Sequence, residues 1–384
     1  MKQVIQFIHA NWPVYVEAHI SDIHFGVIDP RIQYQILQEQ FLAYLAEMRS
    51  LDIVSINGDL FDHKFMANAE AVLYASYFIN DLVKICKSKR ATLILIGGTA
   101  SHDADQLKLF APYLQDPDID FRLIMNECKF EWVKGKKILC IPEIYGMSKE
   151  YYESFFNGEP YDSCYMHGTF AGAIPTKNVP CLDTGREPIF CIEDFGSCRG
   201  PIISGHVHVA QRYKEDFYYT GSPLRWCFGE EDPKGFMILL HKPETRQYLI
   251  HFEEIQSFRY DTIYLDNLFT RDTKEMIDYI LSIKQKGIHY LRVKITENDE
   301  AKILMLRNYF FNRRDIQIKT DFEQQKIQKD LEQMGNKYEK YDYLFDKSLS
   351  PESILVNYIN QTEGNAYWTV EGLSKFMKDL DELL

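Results

Sequence analysis

Residues 53–62 of the chain are IVSINGDLFD, a stretch that joins an apolar run to a pair of carboxylates. The run Ile53–Ile56 is β-branched apart from one serine, which predicts a strand. Gly58 then permits a tight turn, and Asp59 comes directly after it, with Asp62 three residues later. A glycine and an aspartate after a strand usually make an ordinary turn. The interpretation of this turn therefore depends on the side chains at the ends of the other strands.

Four further strand-like runs also end at imidazole or carboxylate side chains. Helical stretches such as Gln33–Met48 and Ala69–Cys86 separate these runs, and strands that alternate with helices predict an α/β layered core. Loops at the carboxyl ends of such strands converge on one crevice, where ligands bind. Lys137–Ile141 is a further strand candidate. The five runs and the polar residues after them are Val14–Ile20 with Asp22 and His24, Ile53–Ile56 with Asp59, Thr92–Ile96 with Ser101, His102 and Asp103, Ser163–Met166 with His167, and Pro201–Ser204 with His206 and His208.

The spacing within these groups suits metal binding. In an extended segment residues i and i+2 point the same way, so Asp22 and His24 offer two ligands to one side, as do His206 and His208. Mixed aspartate and histidine ligands suit Mn²⁺, Fe²⁺ or Zn²⁺, and a carboxylate shared between two ions can bridge them. Two ions about 3.5–4 Å apart can hold a phosphodiester and activate a hydroxide. Each pair alone has an ordinary explanation, but the whole set in this order indicates a metal centre.

The composition bounds the class of protein. With 384 residues and a hydrophobic fraction of 46%, the chain is long enough for two or three domains of roughly 100–200 residues each, and it is not a disordered or fibrous chain. A formal net charge of −13 argues against holding nucleic acid by bulk charge alone, but it is compatible with a nuclease that has a local basic groove or a charged partner.

The chain carries no clear targeting signal. No segment approaches the roughly 18 apolar residues of a membrane span, and Met1–Trp12 is a poor signal peptide. Eight irregularly spaced cysteines predict reduced thiols, with a zinc site at Cys181, Cys191 and Cys198 as the alternative to buried small side chains. We therefore expect a cytoplasmic protein without membrane contact.

The character of the chain changes after residue 258. Three strand-like runs alternate with two helix-like runs, which predicts a β-α-β-α-β domain of roughly 60 residues. From Phe322 the chain is predicted to be helical and charged, with an a/d stripe that presents a partner surface or packs on the protein's own body. The five runs are Ile263–Leu265, Lys274–Lys284, Tyr290–Ile295, Ala301–Phe311 and Ile316–Lys319, and the stripe is Ile327, Leu331, Met334, Tyr338, Tyr341 and Phe345.

These motifs carry a family resemblance. As a set, Asp22-x-His24, Gly58-Asp59-x-x-Asp62, His102-Asp103, His167-Gly168 and Gly205-His206-x-His208 resemble the calcineurin-like metallophosphoesterase signature over roughly residues 14–210. The sequence is similar to SbcD-type DNA nucleases at residues 58–62, 219–225 (YTGSPLR), 228–231 (FGEE) and 234–236 (KGF). The loop Gly98-Thr99-x-Ser101-His102-Asp103 resembles that of phage-type members, which implies a bacterial or phage-infected cell. The resemblance implies a two-sheet β-sandwich core flanked by helices in residues 1–258, a small α+β capping domain in 259–321, and a helical partner-binding segment in 322–384.

The resemblance also implies roles for individual residues. One ion would be held by Asp22, His24, Asp59 and His208, and the second by Asp59, His167, His206 and a residue of the third loop. The family has an asparagine ligand there, in Gly-Asn-His-Asp, whereas this chain has Ser101 at that position, with Thr99 or a water molecule as alternatives. His102 would face the scissile phosphate as the catalytic imidazole. Asp103 would orient His102 or cap a turn, and Arg225 would contact a DNA phosphate or form a surface salt bridge.

The resemblance predicts a DNA nuclease that depends on two divalent metal ions, with exonuclease or endonuclease activity. The expected ion is Mn²⁺, with Fe²⁺, Zn²⁺ or Mg²⁺ as alternatives. The expected partners are DNA ends, an SbcC-type coiled-coil ATPase bound through the C-terminal helices, and a second copy of the chain. Two other functions stay open: a stand-alone phosphoesterase for nucleotides or phosphoproteins, and a non-catalytic scaffold with a degenerate metal site.

Overall fold

A computed structural model of the chain describes residues 14–173, 189–214, 216–265, 272–285, 289–295, 300–313 and 315–320, with the single residues 353, 356, 369 and 371. Three predictions concern residues outside these ranges. They are the N-terminal lead Met1–Trp12, the Cys181 member of the zinc alternative, and, apart from the single residues, the helical segment 322–384 with its a/d stripe.

Strands and helices alternate through the described residues. The strands are β1 (Tyr15–Ile20), β2 (Ile53–Asn57), β3 (Thr92–Ile96), β4 (Asp120–Ile124), β5 (Lys129–Val133), β6 (Lys136–Ile141), β7 (Ser163–His167), β8 (Thr169–Phe170), β9 (Ile189–Phe190), β10 (Ile202–Gly205), β11 (Gln211–Lys214), β12 (Phe217–Tyr219), β13 (Gly235–Lys242), β14 (Gln247–Glu254), β15 (Tyr260–Tyr264), β16 (Tyr290–Ile295) and β17 (Ile316–Thr320). The α-helices are α1 (Pro30–Leu37), α2 (Ala43–Glu47), α3 (Glu70–Lys89), α4 (Lys149–Phe156), α5 (Thr273–Lys284) and α6 (Glu300–Tyr309). A π-helical turn, Gln38–Leu42, joins α1 to α2, and 3₁₀ turns occupy Ala104–Gln115, Ile192–Phe195 and Pro243–Thr245.

The helix predicted over Gln33–Met48 begins three residues earlier, at Pro30. Asp29 caps it, because its carboxylate accepts hydrogen bonds from the N–H groups of Arg31 and Ile32 at 3.0 and 3.5 Å. Proline at the first helical position needs no N–H partner, so it fits there.

Two six-stranded sheets make the body of the protein. The first has the order β14-β13-β1-β2-β3-β4, and β1 to β4 are parallel while β13 is antiparallel to both neighbours. The second has the order β11-β12-β10-β7-β6-β5, and β6, β7, β10 and β12 are parallel. Strands β2 and β3 are buried along their whole length, as expected for parallel strands covered on both faces.

The two sheets share an apolar core, and helices cover their other faces. Ile94 of β3, Ile138 of β6 and Ile203 of β10 belong to one buried cluster. On the outer face of the first sheet, Phe78 of α3 belongs to a second buried cluster. On the outer face of the second sheet, Tyr152 of α4 belongs to a third. The α/β class predicted from the sequence is confirmed, whereas the assignment to the metallophosphoesterase fold stays a prediction.

A buried ion pair also connects the sheets. Lys136 of β6 donates a hydrogen bond to Glu17 of β1 at 2.5 Å and to the hydroxyl of Tyr165 of β7 at 2.8 Å, and Tyr165 in turn donates to Glu17. All three side chains are fully buried. Burial would raise the pKa of Glu17, but the Lys136 ammonium and His19 lower it below its ordinary value.

The chain divides into two compact units. The first comprises Met1–Asp261 with Gly287–Tyr290, and the second comprises Thr262–Lys286 with Leu291–Leu384. The strand-helix alternation predicted after residue 258 is found as β15, α5, β16, α6 and β17, whose strands form a sheet in the order β15-β16-β17. Its role as a cap stays a prediction. Among the described residues no helix is both long and apolar enough to cross a membrane. Six described cysteines are free thiols: Cys86, Cys128, Cys140, Cys164, Cys191 and Cys198.

Candidate metal centre

The polar residues at the strand ends meet at one edge of the two sheets. β1, β2 and β3 are parallel, and so are β6, β7 and β10, so their carboxyl ends lie on the same side within each sheet. Four overlapping groups of side chains bring potential ligand atoms within 4.8 Å of one another. The groups are Asp22 with His24 and His208, His24 with Asp59 and His102, Asp22 with Asp59 and His167, and Glu143 with His167 and His206.

The backbone at this edge adopts the left-handed region at four non-glycine residues. The φ angles are 51° at Asp22, 49° at His24, 53° at Asp59 and 90° at His206. Such angles are uncommon outside glycine and concentrate at functional sites, where surrounding contacts hold them. Here the N–H of Asp22 donates to the Gly58 carbonyl and that of His24 to the Asp59 carbonyl, both at 3.0 Å.

Gly58 and Gly205 make the close approach of the loops sterically feasible. A β-carbon on Gly58 would lie 2.2 Å from Nδ1 of His167, and Gly58 has a φ of +86°. A β-carbon on Gly205 would lie 2.1 Å from the Asn57 carbonyl oxygen. Both positions therefore require glycine for steric reasons, as the sequence predicts for these turns.

Asp22, His24 and His208 form the first ligand group. Oδ1 of Asp22 lies 3.9 Å from Nε2 of His208, and the Asp22 carboxylate accepts the N–H of His206 at 2.9 Å. The ring centroids of His24 and His208 are 5.2 Å apart. The indole of Trp226 packs edge-to-face against both imidazoles. Its ring centroid lies 4.8 Å from that of His24 and 4.6 Å from that of His208.

Glu143, His167 and His206 form the second ligand group. Oε2 of Glu143 lies 3.1 Å from Nδ1 of His206 and 3.6 Å from Nε2 of His167. Nδ1 of His167 is 2.8 Å from the carbonyl oxygen of Asn57, to which it donates. This hydrogen bond directs the other nitrogen, Nε2, toward Glu143 and Asp59, as in many histidine ligands of metals.

Asp59 lies between the two groups. Its Oδ2 atom is 3.7 Å from Nε2 of His24 and 3.3 Å from Nε2 of His167. Burial would raise the pKa of Asp59, but the two imidazoles lower it below its ordinary value, so the carboxylate is charged. The role of Asp59 as a ligand shared by two ions stays a prediction.

The imidazoles of the two groups differ in their protonation. Burial lowers the pKa of His24 and of His208 to about 4, so both are neutral near pH 7 and suited to metal binding. Burial acts in the same direction on His167 and His206, but Asp59 next to the former and Glu143 next to the latter raise the pKa above its ordinary value. Protons and cations therefore compete for the second group.

The third loop brings the hydroxyl of Thr99 close to two carboxylates of the ligand groups. Ser101 is exposed, whereas the hydroxyl of Thr99 lies 3.2 Å from Oδ2 of Asp59 and 3.3 Å from Oε2 of Glu143. Ser101 as a ligand stays a prediction, and the carboxylate that the structure places here, Glu143, was not predicted. The available signal was its position at the end of the strand candidate Lys137–Ile141, but it lacks a second ligand type two residues away.

Asp103 organises this loop from within. Its buried carboxylate accepts the N–H groups of Asp59 at 2.9 Å, Gly98 at 2.9 Å and Phe61 at 3.1 Å, and so ties the second and third loops together. This fits the predicted turn-capping role. Burial and the nearby Asp59 charge raise the pKa of Asp103.

His102 and Arg225 occupy different surroundings. Nδ1 of His102 donates to the carbonyl of Asp62, and its ring lies 4.7 Å from that of His24. Arg225 is half-buried, and its guanidinium donates to the Asp232 carbonyl at 2.9 Å. The structure thus brings His102 to the centre. It gives Arg225 a partner within the fold, while the predicted DNA contact of Arg225 stays a prediction.

The donor set fits divalent cations. Both ring nitrogens of the buried His24 and Oε1 of the buried Glu143 lack a hydrogen-bond partner within the described part of the chain. Buried polar atoms without partners are costly, and a bound ion would satisfy them. Carboxylates together with neutral imidazoles suit Mn²⁺, Fe²⁺ or Zn²⁺.

Comparisons with known proteins give one informative relative. No family model matches the chain. The viral protein "Putative phosphoesterase 244L" of Invertebrate iridescent virus 6 is 28% identical over 255 residues, which cover 62% of this chain and 80% of the relative. A solved crystal structure covers 63% of this chain and all of its own at 12% identity, with a TM-score of 0.39, which is too low to support an argument about the fold.

Proposed function

We propose that this protein is a phosphoester hydrolase that works with two divalent metal ions. The observation that carries the proposal is the position of Asp59 between Asp22-His24-His208 and Glu143-His167-His206. A carboxylate shared by two such groups is what a pair of ions needs in order to act on one phosphate. The similarity to a viral protein described as a phosphoesterase supports the same reaction class.

In this proposal some residues hold the metal ions and His102 acts on the substrate. Asp22, His24, Asp59 and His208 would hold one ion and Asp59, His167 and His206 the other, and the ions would supply charge neutralisation and a hydroxide at neutral pH. His102 is held by the Asp62 carbonyl through Nδ1, which leaves Nε2 on the other side of the ring. We assign it the role of stabilising the developing charge or protonating the leaving oxygen.

Within this class, we propose DNA as the substrate. The support is the resemblance of residues 58–62 and 219–236 to SbcD-type nucleases. Arg225 would contribute to a phosphate contact through guanidinium N–H groups other than the one bonded to Asp232. The net charge of −13 is compatible with this substrate if the ions and a partner supply positive charge where the strand is cut.

A nuclease assay with Mn²⁺, Mg²⁺ and Zn²⁺ in turn tests the proposal. The substrates are end-labelled linear, hairpin and single-stranded DNA, beside a small chromogenic phosphodiester and a small chromogenic phosphomonoester. We expect Mn²⁺-dependent cleavage of DNA that disappears in His102→Ala. Cleavage of the small phosphoesters without cleavage of any DNA would assign the protein to nucleotides or phosphoproteins. The absence of both activities and of bound metal would favour the scaffold.

The partners remain part of the same proposal. We propose that residues 322–384 bind an SbcC-type coiled-coil ATPase, and that two copies of the chain associate. Removing residues 322–384 should abolish co-purification with the ATPase while the Mn²⁺-dependent activity persists. Unchanged association would refute this role of the segment. Light scattering of the full chain determines whether it is a dimer.

A further inference from the structure

Glu143 is a buried carboxylate in an unusual position. It comes after β6 and Pro142, its side chain is 1% exposed, and its N–H donates to the Gly97 carbonyl at 3.2 Å. This hydrogen bond connects the end of β6 in the second sheet to the end of β3 in the first. The carboxylate is thereby fixed at the edge where the ligand groups meet.

No lysine or arginine within the described ranges forms an ion pair with Glu143. Its ion-pair partners within the described ranges are the imidazoles of His206 and His167, and Oε1 has no hydrogen-bond partner there. Burying a carboxylate is costly unless a cation or several donors compensate. The hydroxyl of Thr99, at 3.3 Å, is a single weak compensation. A positive charge beside Glu143, from a bound cation or from a protonated His206, would compensate for this cost.

We propose that Glu143 is a ligand of the second metal ion, together with Asp59, His167 and His206. This inference rests on the proposed two-metal function. Glu143 would take the role that the resembling family gives to the asparagine of its third loop, from a different loop and with a charged group. Ser101, which occupies the asparagine position in the sequence, is exposed.

The replacement of an amide by a carboxylate has a chemical consequence. The second group then contains two anionic ligands, Asp59 and Glu143, and two imidazoles. More ligand charge raises the affinity for divalent cations, and oxygen ligands favour Mn²⁺ and Mg²⁺ relative to softer ions. The second ion should therefore bind tightly despite the missing asparagine.

A role in positioning His206 is the competing explanation. Oε2 of Glu143 lies 3.1 Å from Nδ1 of His206, so it accepts a hydrogen bond when that nitrogen is protonated. A glutamine would preserve an acceptor oxygen in the same place without the charge. Glu143→Gln would leave metal binding unchanged if the side chain only orients His206, but it would weaken the second ion if the charge binds it.

The test measures bound Mn²⁺ directly. Equilibrium dialysis with electron paramagnetic resonance counts the ions and detects spin coupling between neighbouring Mn²⁺ ions. We expect two coupled ions in the full chain, one uncoupled ion in Glu143→Ala, and a second ion bound about 10–100-fold more weakly in Glu143→Gln. Glu127→Ala, at an exposed glutamate outside the ligand groups, is the matched control and should retain two ions. Ser101→Ala tests the ligand that the resemblance implies, and we expect it to retain two ions as well. Thermal unfolding of each variant checks the fold.

The outcomes separate this inference from the proposed function. Two tightly bound ions in Glu143→Ala, or fewer than two in the unaltered chain, would overturn the role of Glu143. If Glu143→Ala does not fold, a second-ion affinity in Glu143→Gln equal to that of the unaltered chain overturns it. Two ions that depend on Glu143 in a protein that hydrolyses no phosphoester would uphold Glu143 as a ligand and refute the function.

Discussion

Oδ2 of Asp59 lies 3.3 Å from Nε2 of His167, across the boundary between the two sheets. Because the same oxygen also faces His24, Asp59→Asn should weaken binding of both ions by at least about 100-fold, whereas loss of an unshared ligand should affect one. Calorimetric titration with Mn²⁺ measures this. Asp62→Asn is the control, since the Asp62 carboxylate is partly exposed, pairs with the exposed His63 at 2.8 Å and lies 3.8 Å from His24. Loss of only one ion in Asp59→Asn would show that the carboxylate does not bridge.

His102→Gln should separate chemistry from metal binding. The side chain hydrogen-bonds to the Asp62 carbonyl and stands beside the first ligand group, so its loss should lower kcat by about 10²–10⁴-fold with both ions retained. Metal content and kcat are measured on the same preparation. The exposed neighbour His63, changed to Gln, should keep near-normal activity. Loss of an ion in His102→Gln would instead make His102 a ligand.

Lys136 and Lys137 are adjacent in sequence but should differ strongly in their effect on stability. Lys136→Met leaves the buried Glu17 carboxylate without its ammonium partner, and we expect the free energy of unfolding to fall by about 3–5 kcal/mol. Lys137 pairs with Glu159, whose side chain is 90% exposed, so Lys137→Met should cost less than about 1 kcal/mol. Urea unfolding gives both values. Equal decreases in the free energy of unfolding would mean that the buried ion pair contributes no more to stability than the exposed one.

Acid should destabilise the fold partly through His241. Burial lowers its pKa from 6.5 to about 3, so below pH 6.5 the unfolded chain gains a proton that the folded chain excludes. Stability therefore falls as the pH decreases from 6.5 toward 3, by about 2 kcal/mol at pH 5. Urea unfolding of His241→Leu should show a smaller loss between pH 7.5 and pH 5. Between pH 7.5 and pH 8.5 the two proteins should differ by a constant amount, and an identical acid loss in both would contradict this account.

The residues that follow the strands at the metal centre could be predicted from the sequence. Parallel strands present their carboxyl ends at one edge of a sheet, and here β1, β2, β7 and β10 each have an aspartate or a histidine at the carboxyl end or just after it. Asp22, His24, Asp59, His167, His206 and His208 meet there for that reason. The order of strands within each sheet was harder to predict, because pairings such as β1 with β13 in the first sheet connect residues more than 200 positions apart. For Glu143 the local signal was only its position after the strand candidate Lys137–Ile141, because its significance depends on His206, which approaches from a distant strand.

Four residues of the metal centre have a backbone in the left-handed region, and they limit how far substitutions can raise the stability of this protein without loss of activity. A glycine at Asp22, His24, Asp59 or His206 would relieve backbone strain of roughly 1 kcal/mol or more, yet it would remove the side chain that the conformation presents. Selection for thermal stability alone should therefore yield inactive variants with substitutions at these four positions. Screens that require turnover should leave these four positions untouched and find their gains in the surface loops and helices.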